Sequence, residues 1–287
     1  MTMTYQGFSF SCRVRQCVEP ATDPIVVISG LYQDADTFLR FERLWSTATV
    51  VTVGLPGLSA ADPVPARFGY ELSAEALAHA MDVLALPQVN LVGVSHGYPA
   101  AYRYALAHPG RIARLVLSGP PDWSPALRNN LRELDALLVA GDLKAFAQRA
   151  VDLFLCGDAT RDVYRSAVLR RALTAKLSSI SERQRSRFIS ATRRAANCPP
   201  LPAGGLRRVP TLCVSGEHDD LAPATWLRIL AGRIEGASVL RIRAADHLSF
   251  QERPMEWAEV VRRFCAGAST SELDFLVGPE PYESVAA

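Results

Sequence analysis

Through the first half of the chain, short unbroken apolar runs alternate with stretches in which apolar residues return every three or four positions. Gly7 to Cys17 alternates polar and apolar, the pattern of one or two half-buried strands, and Pro20 with Asp23-Pro24 then punctuates a turn. Ile25 to Ile28, closed by Ser29-Gly30, and Thr49 to Val53, closed by Gly54, are continuous β-branched runs. Each predicts a strand buried on both faces of a parallel sheet. Thr37 to Trp45 and Ser73 to Leu86 read as helices, the second with Glu75 placed to favour its first turn. Val89 to Val94, Ala113 to Ser118, Val209 to Ser215 and Ser238 to Arg243 add four strands separated by helical pattern. Repeated strand–helix–strand units imply right-handed crossovers, hence an α/β fold with a doubly wound, mostly parallel sheet.

The alternation breaks after Gly119. From there to about Leu206 strand signals stop, and Pro125 to Val139, Asp142 to Leu155, Arg161 to Lys176 and Ser181 to Ala196 read as helices. Connections in such sheets usually run to about 2–6 residues. Residues 120–206 are therefore predicted to form a helical cap or lid, inserted into a core made of residues 1–119 and 207–267. Ala195 to Gly205, with three prolines and two glycines, reads as the return linker. Met255 to Cys265 reads as a last helix, and residues 268–287, flavoured with Gly, Ser and Pro, as a flexible tail.

Composition narrows the classes. With 287 residues, 49% hydrophobic and 21% charged, the chain suits one large α/β domain or a core plus an insertion, and disorder is excluded. Lys and Arg total 31 against 29 Asp and Glu, a formal charge of +2, far from the basic excess of a protein that holds nucleic-acid phosphates. No run approaches the ~20 apolar residues of a membrane span, and Met1 to Phe10 lacks the apolar stretch of a secretory signal. The expectation is a soluble, cytoplasmic protein without a nucleic-acid partner or a membrane span. Six scattered cysteines form no C-x-x-C pair and five histidines no i, i+4 pair, so neither a disulfide framework nor a metal site is expected.

The candidate chemistry begins at the end of one predicted strand. Gly93-Val94-Ser95-His96-Gly97 is a G-x-S-x-G motif that runs directly into a helical stretch, Tyr98 to Ala107. Small residues two before and two after the serine leave room for a sharp, strained turn that lifts Oγ above the sheet edge, beside the free N–H groups of a helix start. A plain tight turn is the bland alternative, and the strand before and helix after argue against it. In this context the chain resembles the α/β-hydrolase superfamily, in its serine hydrolase branch with a helical cap, from about Ile25 to Ala266.

The resemblance implies an acid and then a histidine farther along the chain. Val214 to Pro223 looks like the acid-bearing turn, with Asp219 at the acid position; Asp220 beside it and Asp122 beyond the sixth strand are the alternatives. Ala244 to Pro254 is similar to the histidine loop and supplies His247. In such a triad the imidazole takes the serine proton and the carboxylate fixes its tautomer. The oxyanion hole would use the backbone N–H groups of His96 and Leu31, although Ser29-Gly30 stands where the family usually shows His-Gly. The side chains of His96 and His218 are expected to take no direct catalytic part. Tyr98, Trp123 and Phe250 are candidate pocket walls or core aromatics.

A serine nucleophile implies acyl transfer without a cofactor: hydrolysis of a small-molecule ester, lactone or thioester through an acyl-enzyme on Ser95. Acyl transfer from a carrier-bound or CoA thioester, and lyase or cyclase chemistry with His247 as base, are alternatives that the fold does not separate. Charge bears on them. Residues 158–200 carry ten basic against three acidic side chains, +7, which leaves −5 for the remainder. The stretch reads either as solvated Arg-rich helix faces or as an attractor for an anionic substrate or an acyl-carrier protein.

Overall fold

The computed structural model describes residues 1–58, 61–65, 67–158, 160–202 and 205–278. Its strands are β1 (Thr2–Tyr5), β2 (Phe8–Arg15), β3 (Ile25–Ile28), β4 (Val50–Gly54), β5 (Val89–Val94), β6 (Ile112–Ser118), β7 (Thr211–Gly216) and β8 (Ser238–Ile242). They form one sheet in the order β1-β2-β4-β3-β5-β6-β7-β8. The β1–β2 and β2–β4 pairings are antiparallel and the rest are parallel. The predicted doubly wound α/β sheet is the one observed.

Both faces of the central strands are covered, which is why their sequences are continuous apolar runs. Ile25, Val27, Val92, Val116 and Val214 pack on one face with α1 (Leu39–Leu44) and α10 (Pro254–Cys265). Val26, Ile28, Leu91, Leu115 and Cys213 pack on the other with α2 (Tyr70–Val83), α3 (Tyr98–Ala107) and α8 (Ala224–Ala231). Four helices stand between β6 and β7: α4 (Pro125–Ala140), α5 (Leu143–Phe154), α6 (Ser166–Ser178) and α7 (Glu182–Ala196). Their ends carry local stop and start chemistry. Ser124 caps α4 ahead of Pro125, Gly141 leaves it at φ +75, and Ser181 with Gln184 makes a capping box for α7. A one-turn α9 (Ser249–Glu252) precedes α10.

Several boundaries differ from the sequence pattern for identifiable reasons. The helix expected from Ser73 begins at Tyr70: extended Gly69 takes the cap position, and the Ser73 hydroxyl donates to Pro56 O at 2.9 Å instead of capping. The helix expected from Arg161 begins at Ser166, because Asp158 Oδ1 accepts from the Thr160 N–H and hydroxyl in a local turn and Arg165 sits at φ +62. Residues Thr37 to Phe38 form part of a 3₁₀ turn, Ala35–Phe38, capped by Asp34, before α1 starts. From the expected tail, Arg243 N donates to Phe275 O and Val277 N to Arg241 O, each at 2.9 Å, so residues 275–277 run along β8. Residues 279–287 of that tail lie outside the described residues. No helix among the described residues is long and apolar enough to cross a membrane.

One aromatic cluster ties α1 and α10 to the sheet. The Trp257 ring lies 4.7 Å from Phe41, 5.5 Å from Trp45 and 5.9 Å from Phe250 between centroids, and its Nε1–H donates to Ser118 Oγ at 2.9 Å. Trp257→Ala should destabilise by about 3–5 kcal/mol. Trp257→Phe, which keeps most of the packing and orphans the Ser118 hydroxyl, should cost about 1–3 kcal/mol. Urea midpoints at unchanged slope measure both; equal losses would show that the hydrogen bond, not the ring packing, dominates here.

Candidate active site

Ser95 follows β5 on the turn into α3, at φ +47, a region that side chains other than glycine rarely occupy. The two motif glycines are needed for close approach. A Cβ on Gly93 would lie 2.7 Å from the Ala101 Cβ, and one on Gly97 would lie 2.8 Å from Ser29 O and 2.9 Å from Ile28 O. Gly30, after β3, packs in the same way: its Cβ would stand 3.0 Å from the Ser95 Cβ. Sheet edge, turn and helix thus meet around one serine.

Ser95 Oγ lies 2.9 Å from His247 Nε2, and His247 Nδ1 lies 3.1 Å from each Asp219 oxygen. The three side chains come from the turn after β5, the loop between β8 and α9, and the turn after β7, and all three are buried. Asp219 Oδ1 also accepts the N–H groups of Leu221 and Ala222, at 3.0 and 2.9 Å, which fix the carboxylate in its turn. Burial alone would depress the His247 pKa. The Asp219 carboxylate on Nδ1, with Asp246 nearby, outweighs it and holds the group above the ordinary value of 6.5. A carboxylate on Nδ1 requires the proton there, which leaves Nε2 as an acceptor facing the serine hydroxyl.

The alternative acids are placed otherwise. Asp220 is exposed and paired with Arg161 at 2.9 Å, and Asp122 lines a separate cavity with Asp220 and Asp246. His218 contributes its N–H to Ala245 O at 2.8 Å, with its ring 3.8 Å from Glu217. His96 is buried, its Nε2 2.6 Å from the Tyr70 hydroxyl, and burial, with Arg194 adding, depresses its pKa to about 3. Its ring therefore carries no charge at neutral pH. The aromatics proposed as walls lie elsewhere: Tyr98 stacks on Trp123 with centroids 6.3 Å apart, and Phe250 stacks on Phe38 at 5.3 Å in the core. Tyr98 and Phe250 are buried on α3 and α9, and Trp123 precedes the Ser124 cap of α4.

A cavity of about 40 Å³ reaches Ser95 and His247. Leu31, Tyr32 and Gln33 line it from the loop after β3, and Val151, Phe154 and Leu177 from the inserted helices. The Phe154 ring lies parallel to the His247 imidazole at 6.0 Å, and the Gln33 side chain accepts the Gly30 N–H at 2.8 Å. Sequence reading missed these walls. The apolar face of α5 was legible, but which side chain at its end would meet the histidine loop was not. Two buried carboxylates were also missed, Asp246 in that loop and Glu252 in α9, because Ser249, Gln251 and Arg253 among their neighbours give no sign of burial.

The basic stretch is largely paired. Arg161 reaches Asp220, Lys176 reaches Asp34 and Arg187 reaches Asp62, at 2.9, 3.1 and 3.7 Å, all on the core. Arg170 with Asp152 and Arg193 with Asp135, each at 2.9 Å, bind inserted helices to one another. Its excess of positive charge therefore meets acids of the remainder of the chain. Among the described residues no group of His, Cys, Asp and Glu is arranged to hold a metal ion, and the six cysteines are free thiols.

A doubly wound sheet with a serine on the tight turn after β5 is the layout of an alpha/beta hydrolase. A family model described as alpha/beta hydrolase fold matches residues 23–254, and the protein belongs to that family. A 2-hydroxy-6-oxononadienedioate/2-hydroxy-6-oxononatrienedioate hydrolase of Pseudomonas putida is 28% identical over 231 residues, 73% of this chain and 76% of the relative. Among solved structures, an alpha/beta hydrolase enzyme from a Medee basin deep-sea metagenome library superposes with a TM-score of 0.79 at 19% identity, over 94% of this chain and 98% of that one. The enol-lactonase from Burkholderia xenovorans LB400 gives 0.74 at 20% identity, over 92% and 99%. The protein is a hydrolase.

The glycine contacts generate a test. Gly97→Ala should push the turn away from β3, lowering kcat/KM by about 10²-fold and stability by about 1–3 kcal/mol. Gly110→Ala, with nothing within 4 Å of its added methyl, should change neither. Rates on a short ester and thermal midpoints for the two variants decide it.

Proposed function

We propose that the protein is a serine hydrolase of ester-type bonds, with Ser95 as nucleophile, His247 as general base and then acid, and Asp219 as the carboxylate that orients it. The observation that carries this reading is the continuous chain Ser95 Oγ, His247 Nε2, His247 Nδ1, Asp219 at 2.9 and 3.1 Å. His247 takes the hydroxyl proton as Oγ attacks the carbonyl, and the imidazolium that forms is stabilised by Asp219. The backbone N–H groups of Leu31 and His96 would receive the developing oxyanion, as members of the two loops that meet at Gly30 and Ser95. Proton return from His247 releases the alcohol, and water repeats the cycle on the acyl-enzyme. The cavity walls suit an apolar acyl group, and the inserted helices set its length.

A second reading rests on the Pseudomonas putida relative, whose named substrates are 6-oxo acids. The same serine and histidine can act at a ketone carbonyl if the departing carbon group is stabilised as an enol. Acyl transfer to an acceptor other than water uses the same triad, but the pairing of Arg161, Lys176 and Arg187 with core acids gives the basic stretch a structural use without a carrier protein.

Ser95→Ala and His247→Ala should each lower turnover of short acyl esters by about 10⁴-fold or more with folding retained. Asp219→Asn should be severe, while Asp220→Asn and Asp122→Asn should be mild. A phosphonate probe should add its mass to the Ser95 peptide; wild-type chain that turns over ester without such an adduct overturns the nucleophile. Because His247 must be neutral to act, kcat/KM should fall as pH drops through a pKa above 6.5. Leu177→Ala, which enlarges the cavity, should raise the preference for a longer over a shorter acyl ester by about 10-fold. An unchanged chain-length profile counts against the inserted helices as the selectivity wall.

A further inference from the structure

The loop that carries His247 is fastened by a buried carboxylate which the triad does not use. Asp246 is buried, and its Oδ1 accepts the His247 N–H at 2.7 Å. Its Oδ2 accepts the N–H of Cys156, the second residue beyond α5 and so part of the helical insertion. The Asp246 N–H in turn donates to Glu252 Oε2 at 2.6 Å, and Glu252 is fully buried in α9. Two residues before Cys156, the Phe154 ring lies parallel to the His247 imidazole. Tyr164, farther along the same connection, donates its N–H to Ala244 O at 2.9 Å. One corner of the insertion is therefore bonded to the histidine loop at Cys156 and Tyr164 and stacked on the imidazole just before them, at Phe154.

We propose that Asp246 is a positioning residue that holds His247 and the Cys156 corner of the insertion in one arrangement, so that the base is aligned when the insertion is seated. The inference rests on the triad reading. A carboxylate suits this place because it offers acceptors only: both of its oxygens face backbone N–H donors. Asparagine has the same shape but would turn an NH₂ group toward one of the two, so one bond must be lost. The Asp246 charge is itself costly here. Burial and the neighbouring Asp219 raise its pKa to about 6, and burial pushes Glu252 to about 8. The titratable groups nearest to it are Asp219, His247 and Glu252; Asp122, Asp152, Asp220 and Arg149 line the adjoining cavity. The two amide bonds oppose the rise.

Asp246→Asn separates positioning from packing. Its kcat on a short ester should fall about 10–100-fold with KM nearly unchanged. The acid limb of kcat/KM should move to lower pH, because the Asp246 charge favours the imidazolium and its removal lowers the His247 pKa. Hydrogen exchange should quicken in the peptide around Cys156. Asp220→Asn, which removes the Arg161 ion pair without touching His247, should quicken exchange in the insertion and leave the acid limb in place. Should Asp246→Asn fail to fold, wild type still reads out: phosphonate on Ser95 should protect the Cys156 and His247 amides together, and protection of either alone overturns the coupling. A folded Asp246→Asn with wild-type kcat, or with a lower rate and an unmoved acid limb, also overturns it. A wild-type chain that neither labels at Ser95 nor hydrolyses esters overturns the triad reading and this inference together; labelled wild type with a normal Asp246→Asn overturns the inference alone.

Discussion

A serine held at φ +47 between a strand and a helix persists only where the surrounding backbone can close in on it. Gly93 lets α3 lie against β5, Gly97 lets the turn touch the carbonyls of Ile28 and Ser29, and Gly30 brings the loop after β3 against the serine itself. The rest of the molecule follows from holding these contacts. Two apolar faces keep β3 and β5 adjacent and parallel, and the Trp45–Trp257 cluster anchors α10, which follows directly on the short helix closing the histidine loop. Strain at one residue is thereby distributed over a sheet, three loops and several helices, and the side chain that bears it faces His247.

The electrostatic problem at the site is an excess of carboxylates around a single imidazole. Asp219, Asp246 and Glu252 are all buried close to His247, and each is handled differently. Asp219 has two backbone N–H groups and the imidazole. Asp246 has two backbone N–H groups, from His247 and Cys156. Glu252, with a pKa near 8, is largely protonated at neutral pH and adds little negative charge. That division keeps the field on His247 dominated by the one carboxylate bonded to Nδ1.

Periodicity made the sheet readable because strands buried on both faces leave an unbroken apolar signature, and β5 lies where the pattern put it. The turn at Ser95 was readable because its spacing is a steric necessity. Asp219 and His247 come through resemblance and sequence order, which is why the sequence leaves Asp220 and Asp122 open beside Asp219. Contacts between distant segments left no local trace. Nothing near Phe154 or Cys156 announces that they meet Ala244 to His247, and the +7 stretch gave no sign that its partners are Asp34, Asp62 and Asp220 on the core. For Tyr98, Trp123 and Phe250, read as walls or core aromatics, the sequence leaves the choice open, since nearness along the chain to Ser95 or His247 says little about which way a ring turns.

The cavity at Ser95 lies between the loop after β3 on one side and α5 and α6 on the other, so its walls come from separate parts of the chain. If Ser95 carries the chemistry, a substrate that outgrows this gap reaches it only when α5 and α6 shift away from the loop after β3. Rearrangements of this kind take microseconds to milliseconds. On that reading solvent viscosity becomes a kinetic variable: for large substrates the observed rate would follow how often the helices part, and for small ones how fast the bond breaks.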